Sequence, residues 1–241
     1  MDAIRHLSTL RHDSHLIESL WTRTTTGTPE ALVQAAMGYV TLQLNNNLPA
    51  DPLDPREAQA HRLTLGTRPF RIVDLIWVEF EMASSENLEA GVTLAFGLAR
   101  TNNDDVDAID EGIWWKRTGA NMFVDNRDGV VDLVDVPVAE SVHEQFKRFR
   151  FNFRDGVWLG DPRDGGSRGA SAAIVPEQEV DRGNYNQLRP AARGTRFTLG
   201  GATDTVAPFI QVTKVADVMS SAALHIRSFR AALRNVPFAA A

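Results

Sequence analysis

The stretch RFRFNFRDGVWLGD, residues 148–161, alternates aromatic and polar side chains. In an extended chain successive side chains point to opposite faces, so its phenylalanines share one face and its arginines the other. The two sets are Phe149, Phe151 and Phe153, and Arg148, Arg150, Asn152 and Arg154. This period of two predicts a β-strand with one packed side, and it leaves open what the arginine face contacts.

Strand-like runs of the same kind fill the chain from about residue 60 onward. They are HRLTLG, RIVDLIWVEFEMA, GVTLAFGLA, GIWWKR, MFVDN, VVDLVDV, FIQVTKV and AALHIRSFRAAL, each rich in β-branched or aromatic residues. Strands at this density without long helices between them predict a mainly β fold, either a sandwich or a barrel. Asp-Gly pairs at 128–129 and 155–156 predict two hairpin turns, and the second would place Phe153 opposite Trp158.

The N-terminal region has a different pattern. Residues 1–28 predict a short amphipathic arm with Asp13 or Ser14 as a helix N-cap, and TPEALVQAAM predicts a second helix that begins at Pro29. We therefore expect an arm, a short helix and an entry strand over 1–47, followed by a β-sandwich domain over 48–241. A segment rich in Gly, Pro, Arg and Asp predicts a long irregular loop at about 159–196.

Bulk composition limits the possible functions. The 241 residues carry 25 Lys and Arg against 31 Asp and Glu, a net charge of −6 that disfavours nucleic acid as a partner. No stretch approaches the roughly 20 consecutive apolar residues of a membrane span, and the first residues lack a secretory signal pattern. The absence of cysteine rules out disulfides, thiolate zinc sites and cysteine nucleophiles.

Three clusters of polar residues are candidates for a metal or catalytic site. The loop NNDDVDAIDEG, Asn102–Gly112, is dense enough in carboxylates for calcium but fails the EF-hand order, so a solvated acidic loop is expected. Glu79 and Glu81 share a strand face, as glycosidase carboxylates do, but no third acid follows them. His12 and His15 would need further ligands to hold a metal. The residues therefore predict no catalytic group, metal or cofactor, and no enzyme.

The order of several motifs resembles that of tailed-phage virion structural proteins, which have a concanavalin A-like, lectin-type β-sandwich. The motifs are IWVEFEMA, GVTLAFGLARTNNDD, DEGIWWKRTGANMFVDNRDG, EQFKRFRFNFRDGVWLGDPRDGG, APFIQVTKVAD and LHIRSFRAAL, within roughly residues 70–230. The resemblance implies an antiparallel sandwich of jelly-roll type. It also implies a head or capsid decoration protein that is made in the host cytoplasm, frequently as a homotrimer.

These observations give one main functional expectation and two alternatives. The main one is a capsid decoration protein on the virion surface, bound to the major capsid protein without chemistry. Its interface would join an arginine row to an acidic loop, through Arg148, Arg150, Arg154, Asp104, Asp105 and Asp107. The first alternative is a glycan-binding module that stacks sugars on Trp114, Trp115 or Trp158, or a tail-associated structural protein. The second is a glycosidase that uses Glu79 and Glu81.

Overall fold

The fold is an antiparallel β-sandwich. The computed structural model describes residues 7–35, 38–46, 57–65, 69–84, 88–128, 132–138, 145–158, 172–181, 186–192, 195, 197–199 and 205–234. Its strands are β1 (Leu7–Asp13), β2 (Thr22–Thr26), β3 (Val33–Ala35), β4 (Tyr39–Gln43), β5 (Gln59–Thr64), β6 (Phe70–Arg71), β7 (Leu75–Ser84), β8 (Val92–Ala99), β9 (Gly112–Thr118), β10 (Asn121–Arg127), β11 (Asp132–Pro137), β12 (Lys147–Trp158), β13 (Ala172–Asp181), β14 (Asn186–Pro190), β15 (Phe197–Leu199), β16 (Thr205–Lys214) and β17 (Ala223–Arg234). One α-helix, α1 (Ser14–Leu20), and two 3₁₀ turns, Ile72–Asp74 and Val106–Ala108, complete the described elements.

The strands form two sheets. In the described residues the first sheet has nine strands in the order β14-β13-β12-β7-β17-β4-β3, with β1 also paired to β17 and β15 to β13. The second has eight in the order β11-β10-β9-β8-β16-β5-β2, with β6 also paired to β16. Strands that follow each other along the chain are often not adjacent in a sheet, so most strand pairs join segments that are distant in sequence. The predicted β-sandwich is confirmed.

The core lies between the inner faces of the two sheets. Phe149 and Phe151 of the first sheet pack on Trp115 of the second, with ring centroids 5.2 and 5.7 Å apart. All three rings are buried, and the alternation in RFRFNF predicts this for the two phenylalanines. Each fully buried side chain of this size contributes roughly 1.5–3 kcal/mol relative to an exposed one, so the aromatic seam is a major stabilising feature.

The N-terminal region, for which an arm, a short helix and an entry strand were predicted over residues 1–47, contributes described strands to both sheets. Asp13 caps α1 as predicted and accepts a hydrogen bond from the Leu16 N–H. Strand β1 pairs with β17, and β2 pairs with β5. The helix predicted from Pro29 is wrong: Val33–Ala35 is strand β3, because its backbone pairs with β4 and this pairing outweighs local helix propensity.

Two predictions near residue 159 are corrected as well. Asp155 and Gly156 do not form a hairpin turn, because β12 runs through them and both Phe153 and Trp158 pair with β13. Within the predicted loop at 159–196, residues 172–181 and 186–190 are strands of the first sheet. Residues 159–171 lie outside the described part of the chain. The other Asp-Gly site does join an antiparallel pair, β10 and β11, although its Gly129 also lies outside.

Candidate functional site

A pocket of about 450 Å³ opens on the outer face of the second sheet. Strands β2, β5, β8 and β16 supply its floor, and the segment between β8 and β9, residues 100–111, supplies one wall. We call this segment the pocket loop. The volume falls within the roughly 300–1,000 Å³ range of small-molecule sites.

The pocket loop is held down by apolar packing. Its Val106 and Ile109 form a cluster, separate from the main core, with Trp114, Phe209 and two alanines of the sheet. A single 3₁₀ turn begins after Asp105, whose carboxylate accepts a hydrogen bond from the Asp107 N–H at 3.0 Å. The acidic sequence therefore covers a hydrophobic patch of the sheet instead of extending freely into solvent.

Charged contacts fix the pocket loop at several points. Arg62 of β5 pairs with Asp104 at 3.1 Å, and the hydroxyl of Thr26 donates to the same carboxylate. Farther along, Lys116 pairs with Asp107 at 2.8 Å, and Arg100 pairs with Glu111 at 2.9 Å. The cations that contact this loop thus come from the same chain.

The pocket presents acceptors and hydroxyl groups to a ligand. Asp104, Asp105 and Asp107 line one side, and the hydroxyls of Thr93 and Thr213 lie on the floor strands. In the contacts described, Asp105 uses only one carboxylate oxygen, so the other oxygen can accept a hydrogen bond from a ligand. Val215, with 58% of its surface exposed, adds an apolar edge.

Hydrogen bonds to the backbone of Asn45 support the other side of the pocket. The buried Lys214 ammonium donates to the Asn45 carbonyl at 2.8 Å, and the buried Gln59 side chain accepts from the Asn45 N–H at 2.9 Å. Beside it, hydrogen bonds from the hydroxyl and N–H of Thr28 lower the pKa of Glu57. The contacts with Asn45 position Gln59 and Lys214 in the pocket lining.

The predicted interface residues are divided between opposite faces of the molecule. Asp104, Asp105 and Asp107 lie together in the pocket wall on the second sheet. Arg148 and Arg150 lie on β12 in the first sheet, and so does the backbone of Arg154, whose side chain is outside the described part. Within one chain the arginine row therefore does not meet the acidic loop, and the predicted contact between subunits stays a prediction.

The arginine row instead lies between two rows of glutamates. Arg150 donates to Glu79 of β7 from Nη2 at 2.6 Å and from Nε at 3.1 Å, and its guanidinium stacks on Trp77 at 4.7 Å. Arg148 donates to Glu179 of β13 at 3.0 Å. Cross-strand neighbours of opposite charge stabilise a sheet, so we expect these contacts to stabilise the first sheet.

Of the tryptophans predicted to stack on sugars, the two whose side chains the structure describes do not line the pocket. Trp114 and Trp115 are both 0% exposed, one beneath the pocket loop and one in the main core. They cannot reach a ligand at the surface, because apolar neighbours on both sheet faces enclose them. The side chain of Trp158 lies outside the described residues.

The alternative chemical sites are not assembled as the sequence patterns allowed. Glu79 is 3% exposed in its side chain and held by arginines, out of reach of a substrate. His12 packs in the interior, where its Nδ1 accepts a hydrogen bond from the Trp21 indole N–H at 3.0 Å. No group of three or more metal-ligating His, Asp or Glu side chains was found in the described portion of the chain.

The sequence patterns did not identify two threonines that line the pocket or the lysine that anchors the pocket loop. Thr93 and Thr213 fall inside ordinary strand patterns, and Lys116 follows two tryptophans with no sign that three carboxylates converge on it. The alternation of β8 and β16 places both threonines on the outer face. It could not show that the pocket loop folds back beside them.

Comparisons with solved structures identify the fold. The potassium-bound carbohydrate recognition domain of Emp46p superposes with a TM-score of 0.51 at 14% identity over 91% of each chain. Peanut lectin does so with a TM-score of 0.55 at 10% identity, over 95% of this chain and 97% of its own. A glycosidic hydrolase gives a TM-score of 0.54 at 10% identity, over 93% and 95%.

These similarities establish a lectin-type β-sandwich, and at such identities they establish the fold alone. No protein-family model and no curated protein matches the sequence. Nothing in the comparisons links the chain to tailed phages. No helix in the described residues is long and apolar enough to cross a membrane.

Proposed function

We propose that the protein is a glycan-binding module and that the pocket beside residues 100–111 is its sugar site. One observation carries the proposal: on a lectin-type sandwich, a preformed pocket of about 450 Å³ gathers three carboxylates and several hydroxyls. Sugar hydroxyls donate well to carboxylates, and hydrogen bonds to a charged acceptor are stronger than neutral ones. The exposed Val215 at the rim can contact the apolar face of a sugar ring.

The charges around the pocket favour an uncharged ligand. Carboxylates at or near the lining outnumber cations, and the cations Arg62, Lys116 and Lys214 already have partners in the chain. An anionic sugar would bring its charge close to Asp105 and Asp107, and among the described residues each cation beside the pocket already has a partner. We therefore infer that the ligand is a neutral glycan and that sialylated, sulfated or uronic glycans are rejected.

We also propose that the module binds without catalysis. The paired glutamates of β7 lie on the opposite sheet from the pocket, and Glu79 is covered by arginine side chains. Incubation with the glycans that bind should release no product. Product release that is lost on substitution of Glu79 or Glu81 by glutamine would instead favour a glycosidase.

The decisive experiment is a glycan array followed by titration calorimetry with Thr213→Val. This change removes one lining hydroxyl at nearly constant volume, and a lost hydrogen bond of about 1 kcal/mol weakens binding roughly fivefold. Thr64→Val is the matched control, because Thr64 lies on the same sheet face but outside the lining. An array without binding to any neutral glycan, or equal losses in both variants, would refute the proposal.

The capsid-decoration expectation stays a prediction. It includes a homotrimer, the major capsid protein as partner and a virion location, and it rests on the resemblance of motif order alone. Co-sedimentation with particles that lack the protein tests it directly. Saturable binding at many copies per particle would support it, and absence of binding would leave glycan recognition as the only function proposed.

A further inference from the structure

Lys116 lies at the meeting point of three carboxylates. Its ammonium nitrogen is 2.8 Å from Asp107 Oδ1, 2.8 Å from Asp125 Oδ2 and 2.7 Å from Asp135 Oδ1. The lysine side chain is only 5% exposed, and that of Asp125 is 1% exposed. The three acids come from three separate segments, namely the pocket loop, β10 and β11.

A β-bulge brings Asp135 into this cluster. Val124 pairs with Val136 and Asn126 pairs with Leu133, so Asp125 alone faces both Val134 and Asp135. The extra residue is accommodated by a left-handed backbone at Asp135, with φ of 55°, and its N–H donates to Asp125 Oδ1 at 2.7 Å. Bulges of this kind redirect a side chain, and here the redirected carboxylate reaches Lys116.

The ammonium of Lys116 offsets the negative charge of the surrounding carboxylates, as a bound metal cation does in a site with oxygen ligands. Three carboxylates this close repel each other, and a central positive charge is required to hold them together. Burial alone lowers the pKa of Lys116, but the interactions that its ammonium makes with the carboxylates of Asp107, Asp125 and Asp135 outweigh burial and raise that pKa above its usual value. The lysine therefore stays charged and ties the pocket loop to the edge of the second sheet.

We propose that Lys116 is a built-in cation that positions the pocket loop, so that ligand binding needs no metal ion at this cluster. The inference rests on the proposed glycan site for its functional consequence, because Asp107 both contacts Lys116 and lines the pocket. The role of Lys116 in positioning the pocket loop does not depend on that site. Lys116 is a positioning residue, since its ammonium is engaged by the three aspartates.

The test exchanges the internal cation for an external one. Lys116→Ala removes the ammonium and leaves a space flanked by three carboxylates, and Ca²⁺ binds such oxygens at about 2.3–2.6 Å. Lys116→Met is the matched control, because it removes the charge but keeps the space filled. Both variants and the parent protein are melted with EDTA and with millimolar CaCl₂. Hydrogen exchange across residues 100–111 and binding of the neutral glycan are measured in the same conditions.

The parent protein should show the same Tm, loop protection and glycan affinity with EDTA and with Ca²⁺. Lys116→Ala should exchange faster over residues 100–111 in EDTA. Ca²⁺ should raise its Tm by at least about 3 °C and restore loop protection, since a ligand that binds only the folded state stabilises it. Lys116→Met should exchange as fast and gain nothing from Ca²⁺.

Two results would overturn the proposal. One is loss of loop protection in the parent protein on addition of EDTA, and the other is an equal Ca²⁺ effect in the alanine and methionine variants. If Lys116→Ala does not fold, Asp107→Asn replaces it, because Asp107 is half-exposed; unchanged exchange over residues 100–111 would then refute the positioning role. Calcium rescue of the loop in a protein that binds no glycan would support the role of Lys116 while refuting the glycan site.

Discussion

Glu79→Gln tests whether the arginine row serves the fold or a partner. The substitution keeps the size of the side chain and removes its charge, at the centre of the contacts with Arg150 and Arg230. If these contacts stabilise the sheet, the isolated protein should be less stable. If the arginines exist to bind a partner, the isolated protein should hardly change.

The expected loss follows from burial and geometry. Glu79 is 3% exposed and accepts two hydrogen bonds from Arg150, at 2.6 and 3.1 Å. Removing one member of a fully buried ion pair costs roughly 3–5 kcal/mol. Arg150 and Arg230 are 24% and 33% exposed, so water can solvate the guanidinium groups that lose their partner. The cost should fall to about 2–3 kcal/mol, which lowers Tm by about 5–10 °C.

Urea unfolding at neutral pH measures this loss, with Glu81→Gln as the control. Glu81 is more exposed, and its partner Arg227 is 47% exposed, so its loss should stay below about 1 kcal/mol. A double-mutant cycle with Arg150→Met should give a coupling energy of at least about 1 kcal/mol. Equal losses for the two glutamines, or a coupling energy near zero, would refute the assignment of the arginine row to the fold.

Two further predictions concern the second sheet. Burial and the nearby charge of Arg23 lower the pKa of His61 to about 4, below its usual 6.5. The unfolded state therefore binds a proton that the folded state does not, and stability should fall as pH drops from about 6.5 toward 4, by up to about 3 kcal/mol. His61→Gln should flatten this dependence in urea titrations at several pH values, and an unchanged slope would contradict it. Gly97→Ala should cost at least about 2 kcal/mol, because its new Cβ would lie 2.3 Å from the Ile113 carbonyl oxygen of the neighbouring strand; a calorimetric Tm equal to that of the parent protein would contradict this reading.

In the candidate site, the sequence predicts the acidic cluster but not the residues that contact it. The sequence shows an acidic cluster at 102–112, and charge alone predicts an arginine row from another surface as its partner. Within the chain the cations that contact this run are Arg62 of β5, which is distant in sequence, and Lys116 of β9, which follows the loop. The predicted contact with an arginine row of another subunit stays a prediction. Opposite charges attract wherever they occur, so complementarity between two segments does not reveal which segments the fold brings together.

Local pattern by itself determined the alternating strands, their inward faces and the N-cap of α1. Alternation in RFRFNF and WVEFEM placed Phe149, Phe151, Val78 and Phe80 inside, because a period of two is a property of the extended backbone itself. Asp13 capped α1 for the same local reason. Only the tertiary structure decided that residues 33–35, 172–181 and 186–190 would be strands, that Asp155-Gly156 would continue β12, and that a pocket would form beside residues 100–111. These features depend on backbone pairing and packing between segments that are distant in sequence. The free energy of such pairing exceeds local propensity, and the pairing leaves no periodic pattern in either segment alone.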